Sequence, residues 1–298
     1  MGPNGSATYR QDTLPRQFST LQLNNSTATW EETDSITMTS GVEAAVEVNT
    51  VTMIGSCSAP CSATKSTPWP PGTMTAGMTL TGTTEYADSP APGPDSTSLS
   101  YSLTMDSPSA PQPATWTWPG PGFPIRCDNL VGSSPGCVIP AAEPTFHVSL
   151  TNAGPSAAMI AWAQKNLPDH WGTAANPLRR LADAGLQRTN RTAICDSTFT
   201  VDPNVPLDSC DEFPFAATYQ SGNLLGVSGK NCAEVEPYID QVTGQWAIRN
   251  VNNVTLTERC VRGHVPLPSN TDVGGDLGRF VQDQRLLDHD PYLLDVTA

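Results

Sequence analysis

Apolar and polar residues alternate along several stretches of the N-terminal part of the chain. A period of two gives a β-strand one buried face and one face in water. Connections rich in proline and glycine separate these stretches, and short strands punctuated in this way favour an antiparallel β-sandwich. The pattern predicts a β-rich accessory module over residues 29–118, preceded by a polar, flexible lead-in over residues 1–28. The alternating stretches are 36–39, 46–53, 78–81 and 99–105.

A stiff, turn-rich segment at residues 119–124 interrupts this pattern. It reads Pro-Gly-Pro-Gly-Phe-Pro and has no periodicity, as is typical of a linker between domains. After it, the alternation over residues 145–150 predicts a strand, and helical spacing follows. Residues 125–298 therefore indicate a second domain, and the whole chain is predicted to have an α+β fold.

Two helices are predicted in this second domain. Apolar residues recur at helical spacing from Ser156, at the N-cap position, to Leu167. The second helix is expected to open with Asn176 as its cap and Pro177 in its first turn, and to run to Leu186. Its apolar side consists of the leucines at 178, 181 and 186.

The composition is unlike that of a typical cytosolic enzyme or a membrane-spanning protein. Hydrophobic residues make up 38% and charged residues 15% of the 298 residues, and both fractions are low for a cytosolic enzyme. The length is sufficient for two ordinary domains with substantial cores. No apolar run approaches the length that crosses a membrane, so the sequence predicts no transmembrane helix.

Acidic residues outnumber basic ones in both parts of the chain. The formal net charge of −14 at pH 7 argues against wholesale electrostatic capture of nucleic acid. Residues 1–125 hold 3 Lys+Arg and 10 Asp+Glu, and residues 126–298 hold 12 and 19, so each part contributes −7. Because basic residues are four times as numerous in the second part, any phosphate-binding surface is expected there.

Arginines of the second part are the candidates for that surface. Arginine suits phosphate because its donors form a fork that matches the phosphate oxygens. The alternative for the group between 179 and 191 is a solvated face paired to local acids. The candidates are Arg179, Arg180, Arg188, Arg191, Arg279 and Arg285.

Eight cysteines fall into close pairs along the chain. An even number of paired cysteines is typical of a secreted protein with sequential disulfide bridges, although spacing alone does not determine connectivity. A zinc site is the alternative, but no Cys-x-x-Cys pair occurs. The sequential pairs are Cys57 with Cys61, Cys127 with Cys137, Cys195 with Cys210, and Cys232 with Cys260.

The acidic pair Asp211-Glu212 lies between a half-cystine and an apolar run. One carboxylate of such a pair can hold a divalent metal while its neighbour takes or relays a proton. A bridge from Cys210 to Cys195 would hold the chain before the pair, and a buried run at 213–216 would anchor it afterwards. Both acids are then expected to face a common ion. The alternative is a solvated turn ahead of a buried strand.

The run Cys-Asp-Glu-Phe-Pro-Phe-Ala at 210–216 resembles the signature of the NucA/NucB family of secreted bacterial deoxyribonucleases. Arg-Cys-Asp at 126–128 and Gly-Cys-Val at 136–138 resemble a segment that actinobacterial members carry ahead of the catalytic part. The closing segment is similar in having an asparagine, a glycine pair, a helix and a strand after Asp-Pro. The resemblance implies a small, disulfide-bonded α+β nuclease domain and, by analogy of fold, a ββα-metal type of site.

The resemblance also implies roles for single residues. Glu212 is expected to bind a divalent ion, Mg²⁺ or Mn²⁺, and Asp211 to activate the attacking water, although the two roles are interchangeable at this stage. Gln220 stands where the family usually has a glutamate, so it keeps an oxygen ligand without the charge. Asn270 is either an amide that orients the metal or the water, or a helix cap. Glu234 is a weaker third acid, with an ordinary surface glutamate as the alternative.

The expected function is that of a secreted, monomeric, metal-dependent endonuclease that hydrolyses DNA. Phosphate contacts without base reading would make its cleavage non-specific. One alternative is a secreted β-rich binding protein whose nuclease-like domain has lost activity, which Gln220 and the acidic balance support. Another is a nuclease toxin against competing cells, with an inhibitor protein as its partner.

Overall fold

A computed structural model describes residues 6–11, 16–38, 48–90, 93–108, 110–252 and 254–298. The fold is of the α+β class and consists mainly of β-sheet. The chain divides into two compact units, of which the first comprises residues 1–142 with 283–285 and the second comprises residues 143–282 with 286–298. The division falls after residue 142 rather than in the segment 119–124, so residues 125–142 lie in the first unit.

The strands of the first unit pair in antiparallel fashion. They are β1 (Ser6–Gln11), β2 (Arg16–Gln22), β3 (Thr29–Thr37), β4 (Asn49–Cys57), β5 (Ser62–Lys65), β6 (Gly72–Met74), β7 (Thr79–Ala87), β8 (Asp95–Thr97), β9 (Leu99–Asp106), β10 (Ala114–Pro119), β11 (Ile125–Asp128) and β12 (Gly136–Val138), followed by a 3₁₀ turn at Pro140–Ala142. The sheets have the orders β1-β2-β3-β7-β5, β10-β9-β4-β6 and β12-β11-β8.

One apolar core is shared by the two larger sheets of this unit. Leu21 and Trp30 of the first sheet and Val51, Met53 and Leu103 of the second belong to a single cluster of buried side chains. This arrangement is sandwich-like, as the alternating pattern predicts. The strands β3, β4, β7 and β9 overlap the four alternating stretches, although β3 shares only positions 36 and 37 with the first of them. Positions 39, 46 and 47 lie outside the described residues.

Strands also occur within residues 1–28, where the sequence predicts a flexible lead-in. β2 pairs with both β1 and β3, and its Leu21 is fully buried. Strand pairing uses backbone N–H and C=O groups, which every residue other than proline supplies. A polar segment can therefore join a sheet without a strong alternating pattern.

Residues 125–142 complete a sheet of the first unit. In β11, Ile125 lies opposite Thr97 of β8, and the bridge from Cys127 to Cys137 joins β11 to β12. Backbone pairing with β8 therefore assigns this segment to the β-rich unit, against the expectation that it opens the second domain.

The second unit combines helices with two sheets. The three-stranded sheet has the order β13-β19-β14 and the four-stranded sheet has the order β15-β18-β16-β17. The elements are β13 (Thr145–Ser149), α1 (Leu150–Ala153), α2 (Pro155–Asn166), β14 (Leu178–Arg179), α3 (Ala184–Ile194), β15 (Asp208–Phe213), α4 (Gly222–Leu225), a 3₁₀ turn at Gly229–Asn231, β16 (Ala233–Ile239), β17 (Trp246–Asn252), β18 (Val261–Pro266), α5 (Leu267–Asp283) and β19 (Pro291–Thr297).

Helix α2 confirms the first predicted helix, although its N-cap is Gly154 and Ser156 lies inside its first turn. The helix packs on one face of the four-stranded sheet. Its Met159 and Ile160 are fully buried in a cluster with Phe213 and Val235. Gly263 of β18 permits this close packing, because a Cβ atom at that position would lie 2.3 Å from Met159 Sδ. The opposite face of the same sheet carries charged side chains.

The second predicted helix is wrong over residues 176–183, including Asn176 as its cap and Pro177 in its first turn. Leu178–Arg179 is a short strand whose partner is β19, and the helix begins only at Ala184. Asp183 provides the cap, since its Oδ1 accepts a hydrogen bond from the Leu186 N–H at 2.9 Å. The leucines at 178 and 181 are buried as expected, whereas Leu186 is 39% exposed. Pairing of Leu178 with a strand more than a hundred residues away overrides the local helical spacing.

The four sequential disulfide pairs predicted from the spacing are confirmed. They are Cys57–Cys61, Cys127–Cys137, Cys195–Cys210 and Cys232–Cys260, and every cysteine is paired. Among the residues described, no helix combines the length and the apolar character needed to cross a membrane.

Removal of the Cys195–Cys210 bridge is expected to lower the free energy of unfolding of the second unit by about 3 kcal/mol, since the bridge closes a 15-residue separation in the unfolded chain. Cys195→Ser with Cys210→Ser would be compared with the parent protein in urea by circular dichroism. The control is Cys57→Ser with Cys61→Ser, for which the 4-residue separation predicts a loss of about 2 kcal/mol. A larger loss for the control pair would contradict this ranking.

Candidate active site

Strand β15 lies at the edge of the four-stranded sheet and carries the acidic pair. In its register with β18, Asp211 lies opposite Gly263 and Glu212 lies opposite Arg262. Successive side chains of a strand point to opposite faces of the sheet. Asp211 and Glu212 are therefore on different faces, which differs from the expectation that both face a common ion.

Asp211 lies on the face that α2 covers. Its exposed fraction is 6%, the Ser156 side chain hydrogen-bonds to its carboxyl group, and its Oδ2 has no hydrogen-bond partner among the described residues. Burial raises the pKa of Asp211 to about 7, and the negative charge of Glu212 adds to the increase. A carboxyl group in this state can accept or release a proton near neutral pH.

Two serines at the N-terminal ends of α2 and α5 meet beside Asp211. The Ser269 Oγ lies 3.1 Å from the Ser156 Oγ and donates to the Ala153 carbonyl oxygen. Because these contacts tie the two helix ends together, they fix the hydroxyl group that contacts Asp211.

Glu212 lies on the opposite face and is equally buried, with 4% exposure. The Arg191 Nε donates to Glu212 Oε1 at 3.1 Å, and the disulfide sulfur of Cys195 lies 3.7 Å from Oε2. Burial raises the pKa of Glu212, and the charge and hydrogen bond of Arg191 oppose that increase. The Arg191 side chain is 67% exposed, so the pair connects a buried carboxylate to the surface.

Asn270 lies inside the first turn of α5 and is not its cap. Its Nδ2 donates to the Cys210 carbonyl oxygen at 3.0 Å and to the Ser209 Oγ at 3.3 Å. The structure thus brings Asn270 to the strand of the acidic pair, where its amide group binds the backbone of β15.

Gln220 forms a hydrogen bond with the backbone of another strand, β14. Its Oε1 accepts a hydrogen bond from the Arg179 N–H at 2.9 Å. The oxygen that the sequence assigns to a metal is therefore engaged at β14.

The remaining candidate arginines are dispersed. Arg179 Nη1 donates to the His289 carbonyl oxygen at 3.2 Å, and Arg180 Nη1 donates to the Leu286 carbonyl oxygen. Arg188 is exposed on α3, and Arg279 of α5 forms an ion pair with Asp276. Arg191 is the candidate that reaches the acidic pair.

Arg285 does not fit the phosphate-binding role. It is 2% exposed and belongs to the first unit. Its Nε and Nη2 donate to the Asp128 carboxylate, at 3.2 and 2.6 Å, and Nη2 also donates to the Asp128 carbonyl oxygen at 2.8 Å. Its Nη1 donates to the carbonyl oxygens of Asn25 and Ser134. All five donors of the guanidinium are thus engaged.

The face that carries Glu212 also holds a buried polar network that the sequence does not predict. Asp208 Oδ2 lies 2.8 Å from His264 Nδ1, and His264 Nε2 lies 3.2 Å from Glu234 Oε1. Arg262 Nη2 donates to Glu234 Oε2 at 3.0 Å. Glu234 is only 4% exposed, so the alternative of an ordinary surface glutamate is wrong.

A signal for this network is present in the sequence. The run Val-Arg-Gly-His-Val at 261–265 has a period of two, which places Arg262 and His264 on one face of a strand. Their acidic partners come from distant segments, and local pattern does not reveal such pairs. Within the described ranges, no group of three or more His, Cys, Asp or Glu side chains is arranged to hold a metal ion.

Asp211→Asn is expected to stabilise the protein at neutral pH but not in acid. The unfolded carboxyl loses its proton near pH 3.8, whereas the folded one keeps it until about pH 7. Rising pH in this window therefore favours unfolding of the parent protein, and asparagine removes the effect. The difference in unfolding free energy between Asp211→Asn and the parent is measured at both pH values. We expect it to be at least about 1 kcal/mol more favourable to the variant at pH 8 than at pH 4. Urea unfolding at both pH values measures this difference, and an unchanged difference would contradict the raised pKa.

Comparisons with known proteins leave the chain without an assigned family. No family model matches it, and no curated protein matches it. Among solved structures, the chain is similar to the GAE domain of GGA2p from Saccharomyces cerevisiae, with 12% identity over 39% of this chain and 98% of that chain. The TM-score of 0.29 is too low for this likeness to indicate a shared fold or function.

Proposed function

We propose that this chain is a secreted, monomeric endonuclease that hydrolyses DNA phosphodiester bonds at β15. The similarity of residues 210–216 to the NucA/NucB signature supports the reaction class. The observation that carries the proposal is the state of Asp211, which combines burial, an oxygen without a partner and a pKa of about 7. A pKa near neutrality suits a carboxyl group that accepts a proton from an attacking water at that pH.

Arg191 supports the binding of a phosphate group beside the acidic pair. Its guanidinium group is largely exposed while its Nε holds Glu212. Arginine donors suit phosphate oxygens, so a phosphate on Arg191 would lie next to β15. β15 is an edge strand. A substrate bound along that edge could therefore be reached from both faces of the strand, by Asp211 on one face and by Arg191 with Glu212 on the other.

The divalent ion that the resemblance implies, Mg²⁺ or Mn²⁺, does not fit the expected ligands as they are placed. Glu212 pairs with Arg191, and the Gln220 oxygen accepts from Arg179. Asn270 donates through its Nδ2 to the strand backbone. No step of the reaction is therefore assigned to a metal, and metal dependence is a separate part of the proposal.

A secreted binding protein without catalytic activity is the second candidate. The placement of Asp211 and Glu212 on different faces favours it, as does the engagement of Gln220. In that case the buried acids contribute to the structure alone, and the exposed arginines account for any binding of nucleic acid.

Asp211→Asn and Glu212→Gln are each expected to lower plasmid nicking by about 100-fold or more, as loss of a proton-transferring or phosphate-positioning carboxylate does. The matched control is Glu236→Gln, which alters a buried carboxylate of the same sheet that pairs with Arg249 at 2.8 Å. A parent protein that does not nick DNA would favour the binding protein. Full activity in both variants would remove the acidic pair from the mechanism.

The resemblance, taken by itself, predicts that chelation with EDTA abolishes nicking and that added Mg²⁺ or Mn²⁺ restores it. Because Glu212, Gln220 and Asn270 are engaged within the protein, any such ion would need other ligands. The same assay with and without the ion measures this. Activity that persists in EDTA would contradict the metal dependence and leave the hydrolase proposal in place.

A further inference from the structure

Residues 196–207 connect α3 to β15 without forming a helix or a strand, and we refer to them as the strap. The Cys195–Cys210 disulfide joins the residue directly before the strap to β15, three residues after the strap ends. Val205 is its one residue in the buried class, whereas Val201 is 61% exposed and Leu207 is 72% exposed. A segment with so few buried apolar contacts belongs to the least stable part of a fold.

Polar contacts hold the first half of the strap to Arg262. Arg262 Nη1 donates to Thr198 Oγ1 at 2.8 Å and to Asp196 Oδ1 at 3.3 Å. Arg262 Nη2 donates to the Thr198 carbonyl oxygen at 3.4 Å as well as to Glu234. The buried guanidinium of Arg262 therefore binds both the strap and Glu234 of strand β16.

His264 and its partner Asp208 hold the middle of the strap. The Phe199 ring stacks on the His264 imidazole with 4.4 Å between centroids, and the Asp202 N–H donates to Asp208 Oδ2 at 2.7 Å. His264 faces a carboxylate with each ring nitrogen, Asp208 on one side and Glu234 on the other, and these contacts position the ring on which Phe199 stacks. The strap is thus held mainly by charged groups of the sheet.

The strap also borders the candidate active site. Cys195, at its base, contacts Glu212 through its sulfur. In the register of β15 and β18, Glu212 lies opposite Arg262, to which the strap is bound. Displacement of the strap would uncover this face of the sheet while the disulfide keeps its ends in place.

We propose that the strap is a lid that opens as a unit while the four-stranded sheet stays folded, with Arg262 and His264 as its latch. Opening gives solvent and ligands access to Glu212 from the strap side. The opening itself is independent of the proposed function; only its consequence for catalysis rests on that function.

Hydrogen exchange of the intact, disulfide-bonded protein tests this proposal. Phe199→Ala removes the ring that stacks on His264 and lies 5.9 Å from the Arg262 guanidinium carbon, while the hydrogen bonds within the sheet remain. We expect the Asp202 amide and its neighbours in the strap to exchange at least about tenfold faster in this variant, with exchange in β16 and β18 unchanged. His264→Gln, which alters the latch from the sheet side, is expected to act in the same direction.

Glu236→Gln is the matched control, because it alters a buried ion pair of the same sheet and leaves the latch residues intact. Two outcomes would overturn the proposed lid. One is that strap amides of the parent exchange as slowly as the sheet amides, and the other is that strap exchange is unchanged in Phe199→Ala. Carbodiimide labelling of Glu212 gives a second measurement. It should increase with strap exchange in Phe199→Ala, and unchanged labelling would overturn the role of the lid in access. Neither measurement depends on nuclease activity, so loss of the proposed function would leave both informative.

Discussion

The register between β15 and β18 determines how charge is distributed around the candidate site. It places Asp211 over Gly263, on the side where α2 packs, and Glu212 beside Arg262, on the polar side. A shift by one residue would exchange the two faces, sending Asp211 into the charged network and Phe213 out of the core. The Cys195–Cys210 bridge and the Asn270 hydrogen bond both act on this strand, so they help to hold that register.

The two faces of the sheet accommodate buried carboxylates in different ways. Glu234 is paired with both Arg262 and His264, which offsets the cost of removing its charge from water. Asp211 has a serine hydroxyl group but, among the described residues, no cationic group in contact, and burial therefore raises its pKa. Paired carboxylates are common in stable structures, whereas an unpaired buried one is costly. That cost makes Asp211 the better candidate for chemistry and the Glu234 network the better candidate for a conformational role.

Local patterns predicted those features that depend on neighbouring residues. Alternation identified the strands of the sandwich, the spacing of cysteines identified four bridges, and helical spacing identified α2. Prediction was wrong where a distant partner decided the outcome. Leu178 pairs with β19 and is extended, and Ile125 pairs with β8 and joins the first unit. For Leu178, pairing with a remote strand outweighed the local helical tendency. For Ile125, pairing with β8 decided to which unit the segment belongs.

The sequence by itself determined the α+β class, the disulfide-rich character and the acidic pair beside Cys210. It also contained the period of two that separates Asp211 from Glu212, once residues 208–213 are known to be a strand. Only the tertiary structure decided which groups surround each acid: Ser156 and a closed core on one side, Arg191 and the strap on the other. The physical reason is that burial and charge pairing depend on distances between segments far apart in the chain, and such distances are set by packing.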